Sequence, residues 1–106
     1  MRFDWRPMIR ELVRQRDAGI EVPTLAAMFM NTMINMAVEQ VRHASEETDI
    51  RQVILSGGTF QNQYLMTRLP ALLCRGGVKV YWHRRVSCND EGLSLGQLMI
   101  ANAWKE

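Results

Sequence analysis

The stretch of this 106-residue chain whose residue types could do chemistry is Val53-Ile54-Leu55-Ser56-Gly57-Gly58-Thr59-Phe60-Gln61-Asn62. An apolar, β-favouring run breaks there into a diglycine turn and then into the start of a helix. Glycines admit positive φ and let a ligand approach the backbone closely. The unpaired amides and dipole of the following helix favour an anion at its amino end. Gly57 and Gly58 are therefore candidates for a phosphate site. Tight turns also need glycine for their own geometry, so the motif by itself leaves a purely structural reading open.

Other reactive residue types are less informative. His83-Arg84-Arg85 follows a second apolar run, and α/β sites gather at strand ends; a surface or domain contact is the first reading and catalysis the second. His43 falls late on a long helix and takes no role. The two cysteines, Cys74 and Cys88, form no Cys-x-x-Cys pair and no metal-ligand spacing, so both read as ordinary thiols of the buried kind. Of the eight methionines, Met28, Met30, Met33 and Met36 crowd one segment, where flexible thioethers fill irregular gaps in a core or interface.

The elements that must position these residues follow from periodicity and punctuation. Asp4 can cap a helix over 5–18, with Trp5, Met8, Ile9, Leu12 and Val13 on one face, and Gly19 stops it. A second, central helix is predicted from Pro23-Thr24 to Glu46, with Leu25, Met28, Phe29, Thr32, Met33, Met36, Ala37 and Val41 as its apolar stripe. A polar link ends at Asp49. Val53-Ile54-Leu55 is predicted to be a short strand buried on both faces. Helix resumes over 62–74 with Tyr64, Leu65, Leu69, Leu72 and Leu73 inward, despite Pro70, and Arg75-Gly76-Gly77 closes it. Strand 78–82, a polar loop 83–91 and a helix 94–104 complete the order helix, helix, strand, helix, strand, helix. Two parallel strands joined through one helix seldom stand alone, so the sheet is expected to gain strands from a longer parent or from a second copy.

Composition bounds the class. With 47% hydrophobic and 23% charged residues the chain is expected to form one small globular domain, 1–106. Its net charge of +2 arises from scattered basic residues, so no nucleic-acid patch is expected. The apolar stretch 24–36 carries Asn31, Thr32 and Asn35 and is too short for a bilayer. The amino-terminal run Met1-Arg2-Phe3-Asp4-Trp5-Arg6-Pro7 lacks the apolar core of a secretory signal, and a cytoplasmic setting is expected.

Taken together, four segments carry a specific resemblance. Phe3-Asp4-Trp5-Arg6-Pro7, Leu55 through Asn62, His83-Arg84-Arg85-Val86 and Asn89-Asp90-Glu91-Gly92-Leu93-Ser94-Leu95-Gly96-Gln97 resemble, in order and spacing, the carboxy-terminal region of HypF carbamoyltransferases. The likeness implies an α/β fold that is part of an actin-like, ribonuclease H-like ATPase domain. It also implies a reaction in which carbamoyl-adenylate is held between subdomains and its carbamoyl group passes to a cysteine thiol of a HypE-like acceptor during maturation of nickel–iron hydrogenase. By that resemblance Gly57 and Gly58 lie against the phosphates or ribose of ATP or carbamoyl-adenylate, Asn62 bonds the nucleotide, and Asp90 is a ligand of a divalent metal, magnesium or iron. Asn62 as a helix cap and Asp90 as a cap of the last helix are the structural alternatives.

The likeness is also incomplete. The family's His-x-x-x-His metal pair has no counterpart in this chain, and Met30 stands where many relatives have histidine. The metal site is thus expected to be partial and the chain inactive alone. The alternative is a non-catalytic module that oligomerises or binds a partner.

Overall fold

The structure, a computed structural model, describes residues 2–104. Helix α1 spans Arg6–Asp17, α2 Val22–Thr48, strand β1 Gln52–Leu55, helix α3 Gln63–Arg75, strand β2 Lys79–Trp82 and helix α4 Leu93–Ala103. Short 3₁₀ turns at Gly58–Gln61 and Asp90–Gly92 precede α3 and α4. The predicted order of elements is the observed one, and β1 and β2 pair in parallel with Gln52 opposite Lys79 and Leu55 opposite Trp82.

Local chemistry explains most boundaries. Gly19, at φ 89°, ends α1, with its N–H on the Arg16 carbonyl and that of Ile20 on the Gln15 carbonyl; only glycine enters this left-handed region without strain. Asp4 does not occupy the cap itself. Trp5 does, and the Asp4 carboxylate one residue earlier accepts from both the backbone N–H and the Nε of Arg6, at 3.0 and 2.8 Å. The polar segment 45–48 stays helical, and α2 ends on Asp49 in left-handed geometry at φ 57°. Pro70 lies inside α3 and is buried. The helix runs through it, and the Met66 carbonyl forgoes its intrahelical amide partner because proline has none to give.

The core comprises Ile34, Leu55, Leu65, Leu69, Leu73 and Val78. Leu65, Leu69 and Leu73 recur every four residues and so share one face of α3. They pack between the sheet and α2, whose Met30, Ala37, Val38 and Val41 flank Ile34. Two expectations are corrected here. The stripe of α2 that meets the core keeps Ala37 and Val41 of the predicted set but adds Met30, Ile34 and Val38, because α2 is apolar on more than one side. Leu25 of the predicted stripe instead faces Leu12 and Val13 of α1, and Phe29 stands between α1 and the α3 side. Strand β1 is buried on one face only: Val53 and Leu55 point inward, whereas Ile54 is 73% exposed because no layer of the described residues covers that side of the sheet. The expected burial of Cys74 is likewise overturned. It is exposed, since the preceding Leu73 occupies the inward face.

Helix α4 projects from this body, with Leu93, Leu95, Leu98, Met99, Ile100 and Trp104 exposed. The molecule measures 63 × 31 × 23 Å with a radius of gyration of 17.6 Å, against about 13 Å for a compact domain of this length.

Candidate functional site

The diglycine turn lies at the carboxyl ends of the parallel strands, the edge at which open α/β sheets bind ligands. Gly57 adopts φ 110° and ψ 158°, a region essentially closed to side-chain-bearing residues. Its N–H donates to the Cys88 carbonyl at 2.8 Å, and its own carbonyl accepts from Phe60 N–H at 3.1 Å. Gly58 begins the 3₁₀ turn, and a Cβ built there would lie 3.9 Å from the Asn89 Cβ. The loop after β2 therefore folds across the turn after β1, bringing Gly57, Gly58 and the Asn89-Asp90 segment into one neighbourhood.

Asn62 is the cap of α3. Its Oδ1 accepts from Leu65 N–H at 3.1 Å, which leaves the side-chain amide nitrogen as its remaining donor. Asp90 opens the second 3₁₀ turn and does not act as a cap. The cap of that turn is Asn89, whose Oδ1 accepts from the Ser87 hydroxyl at 2.6 Å and from Glu91 N–H at 2.9 Å, while α4 itself starts from Gly92 without a side-chain cap. Gly92 is sterically required, since a Cβ would stand 2.7 Å from the Ser87 carbonyl oxygen. The Asp90 side chain is exposed, and among the described residues no hydrogen bond or ion pair of the chain engages it. No three His, Cys, Asp or Glu side chains of the described residues gather into a metal-binding group.

Beside Gly58 and Asn62 opens a cavity of ≈ 480 Å³, lined by Phe29, Met30, Met33 and Ala37 of α2, by Thr59 and Phe60, and by Leu65 and Leu69 of α3. An apolar floor with backbone and amide groups at one edge suits a flat heterocycle carrying a polar tail. Part of the methionine cluster thus lines a pocket as well as packing the core.

His83 has a partner that its sequence neighbourhood does not reveal: its Nε2 lies 2.8 Å from Ser56 Oγ. The parallel register offered the signal, because Ser56 and His83 directly follow the paired residues Leu55 and Trp82. Arg84 stacks over the Trp82 ring, 5.0 Å from its centroid. Among the described residues the lowered carboxylate pKa values lie elsewhere, at Asp4, Glu11 and Glu39, each held down chiefly by hydrogen bonds from an arginine.

A parallel β–α–β crossover with its glycine turn at the carboxyl strand edge, preceded by two packed helices, is an α/β unit, and its match to a solved carbamoyltransferase structure makes it part of an actin-like ATPase fold. Comparison with known proteins narrows this. A family model described as carbamoyltransferase, Kae1-like domain, second subdomain, matches residues 1–97, and the chain belongs to that HypF carbamoyltransferase family. It is 29% identical over 96 residues to carbamoyltransferase HypF of Synechocystis sp., covering 91% of this chain and 12% of that protein. It is 31% identical over 101 residues to a HypF homolog of Cupriavidus necator, covering 93% and 26%. The crystal structure of a full-length HypF in a phosphate- and nucleotide-bound form superimposes with a TM-score of 0.87 at 40% identity, covering 92% of this chain and 13% of that one. The chain thus spans from about an eighth to about a quarter of the length of these relatives.

Proposed function

We propose that this chain is the nucleotide-binding part of a HypF-type carbamoyltransferase, a single unit over 1–106. The observation that carries the proposal is Gly57 in a glycine-only conformation beside Gly58 and an apolar cavity, in a fold that matches a HypF determined with nucleotide and phosphate bound. On this reading the aromatic and thioether floor takes the adenine of ATP or carbamoyl-adenylate. Backbone at Gly57 and Gly58 meets ribose or phosphate, and the free amide of Asn62 donates to the nucleotide. Asp90 offers one carboxylate to a magnesium or iron ion whose other ligands come from the phosphates and from outside the chain.

Transfer of the carbamoyl group to the thiol of a HypE-like acceptor, in a cytoplasmic hydrogenase-maturation setting, belongs to the larger enzyme. The chain alone is inactive in that reaction. Isothermal titration of the purified chain with ATP, with and without magnesium, tests the nucleotide reading. Binding that weakens at least tenfold in Gly58→Val with an unchanged circular dichroism spectrum supports it, and absence of binding at millimolar ATP refutes it.

A second reading, a non-catalytic module that oligomerises or binds a partner, draws on the uncovered face of the sheet and the exposed apolar residues of α4. Contiguous apolar surface of this kind marks interaction sites. A monodisperse monomer by light scattering, with no affinity for the rest of a HypF relative, counts against it.

A further inference from the structure

Loop 83–88 is fastened at both of its ends to two adjacent residues. His83 Nε2 meets Ser56 Oγ at 2.8 Å, and the Cys88 carbonyl receives the Gly57 N–H at 2.8 Å. Among the described residues, the first is the only side-chain hydrogen bond that joins this loop to the turn after β1. The two ties close a circuit: the loop leaves the sheet at His83, returns at Cys88 and delivers Asn89 and Asp90 beside Gly58, with Asn89 close enough to touch any side chain placed there. Release of His83 would leave the start of the loop without its tie to the turn.

We propose that His83 is a positioning residue that, by holding Ser56, fixes the separation between the diglycine turn and Asp90. The inference rests on the nucleotide reading given above and names a residue that governs the phosphate end of that site. His83 touches neither nucleotide nor metal in this role; it acts through Ser56 and the loop. Because the partners are exposed and belong to no buried core, their substitution leaves the fold intact.

The test uses the whole chain in four forms, unmodified, His83→Ala, His83→Gln and Ser56→Ala, each checked by circular dichroism. Amide hydrogen exchange at Gly57 reads the clasp without any ligand. Exchange is expected to be about threefold to tenfold faster in His83→Ala and Ser56→Ala, the loss that one net hydrogen bond represents. It is expected to be near the unmodified rate in His83→Gln, whose amide can reach the same hydroxyl. Titration with ATP and with adenosine then separates the phosphate end from the base: His83→Ala weakens ATP by a similar factor and leaves adenosine alone. Unchanged Gly57 exchange in His83→Ala overturns the clasp, as does a His83→Gln variant as impaired as the alanine one. An equal loss for ATP and adenosine overturns its link to the phosphate end. An unmodified chain that binds no ATP while the exchange result holds refutes the nucleotide reading and the site role with it, and leaves His83 as a loop fastener only.

Discussion

Gly57 sits at φ 110° and ψ 158° with open space where a side chain would be, so its requirement for glycine is one of backbone conformation and not of crowding. Gly57→Ala is expected to cost about 1–3 kcal/mol, read as a lower denaturation midpoint with no change in far-ultraviolet signal. Gly58 differs, since its Cβ position is 3.9 Å from Asn89. Alanine fits there, whereas the branched side chain of Gly58→Val pushes against the loop that carries Asp90. Asp90→Asn is expected to leave stability within about 0.5 kcal/mol, as for other exposed substitutions, while removing the gain in ATP affinity that magnesium brings; a magnesium gain equal to that of the unmodified chain refutes Asp90 as a ligand. At this scale the sequence was informative where a residue has few conformational options. Gly57 and Gly58 stood out because strand–glycine–helix grammar is short-ranged. The Ser56–His83 bond, which joins residues 27 positions apart, was hidden because either residue alone has many possible partners.

Helix α2 illustrates what periodicity conveys at the scale of an element. Its existence and approximate ends were legible from Pro23 and from the length of the apolar pattern. Its orientation was not, because apolar residues surround much of its circumference and two neighbours, α1 and α3, claim different sides. Strand β1 was legible as a strand from Val53-Ile54-Leu55, but a continuous apolar run does not say whether both faces find a cover. The surface of α2 also holds a pH-dependent element. Arg42 reaches Glu39 and Glu46 at 2.7 Å each, and its hydrogen bond lowers the Glu39 pKa. On α1, Arg14 and Gln15 hold Glu11 down to about 2. A carboxyl lowered on folding contributes stability that is present above its unfolded pKa of about 4.3 and is lost as pH falls through the folded value. Arg42→Gln should therefore lower the melting temperature near neutral pH and match the unmodified chain in acid once Glu39 is protonated; a difference that persists undiminished in acid would contradict this origin. Within α3, Leu69 is 1% exposed, and Leu69→Ala is expected to cost about 2–5 kcal/mol by leaving a cavity, measured by denaturant titration.

At the scale of the whole molecule, one core of described residues joins α2, α3 and one face of a two-stranded sheet, while α4 and the opposite sheet face present apolar side chains to solvent. A two-stranded sheet with little cover of its own was legible in the sequence, since one crossover cannot bury both faces of its own strands. Ile54→Lys, on the uncovered face, is expected to raise solubility and to move stability by no more than about 0.5 kcal/mol; loss of fold in that variant would show that the face is packed in solution. The 63 Å long axis of so short a chain carries an experimental consequence of its own. An elongated particle diffuses more slowly than a sphere of equal mass, so a single copy will leave a sizing column early, at the position of a compact protein of greater mass. Elution volume will thus suggest a dimer where there is one chain. Stoichiometry for this protein is to be taken from scattering intensity or sedimentation equilibrium, which weigh the particle irrespective of its shape.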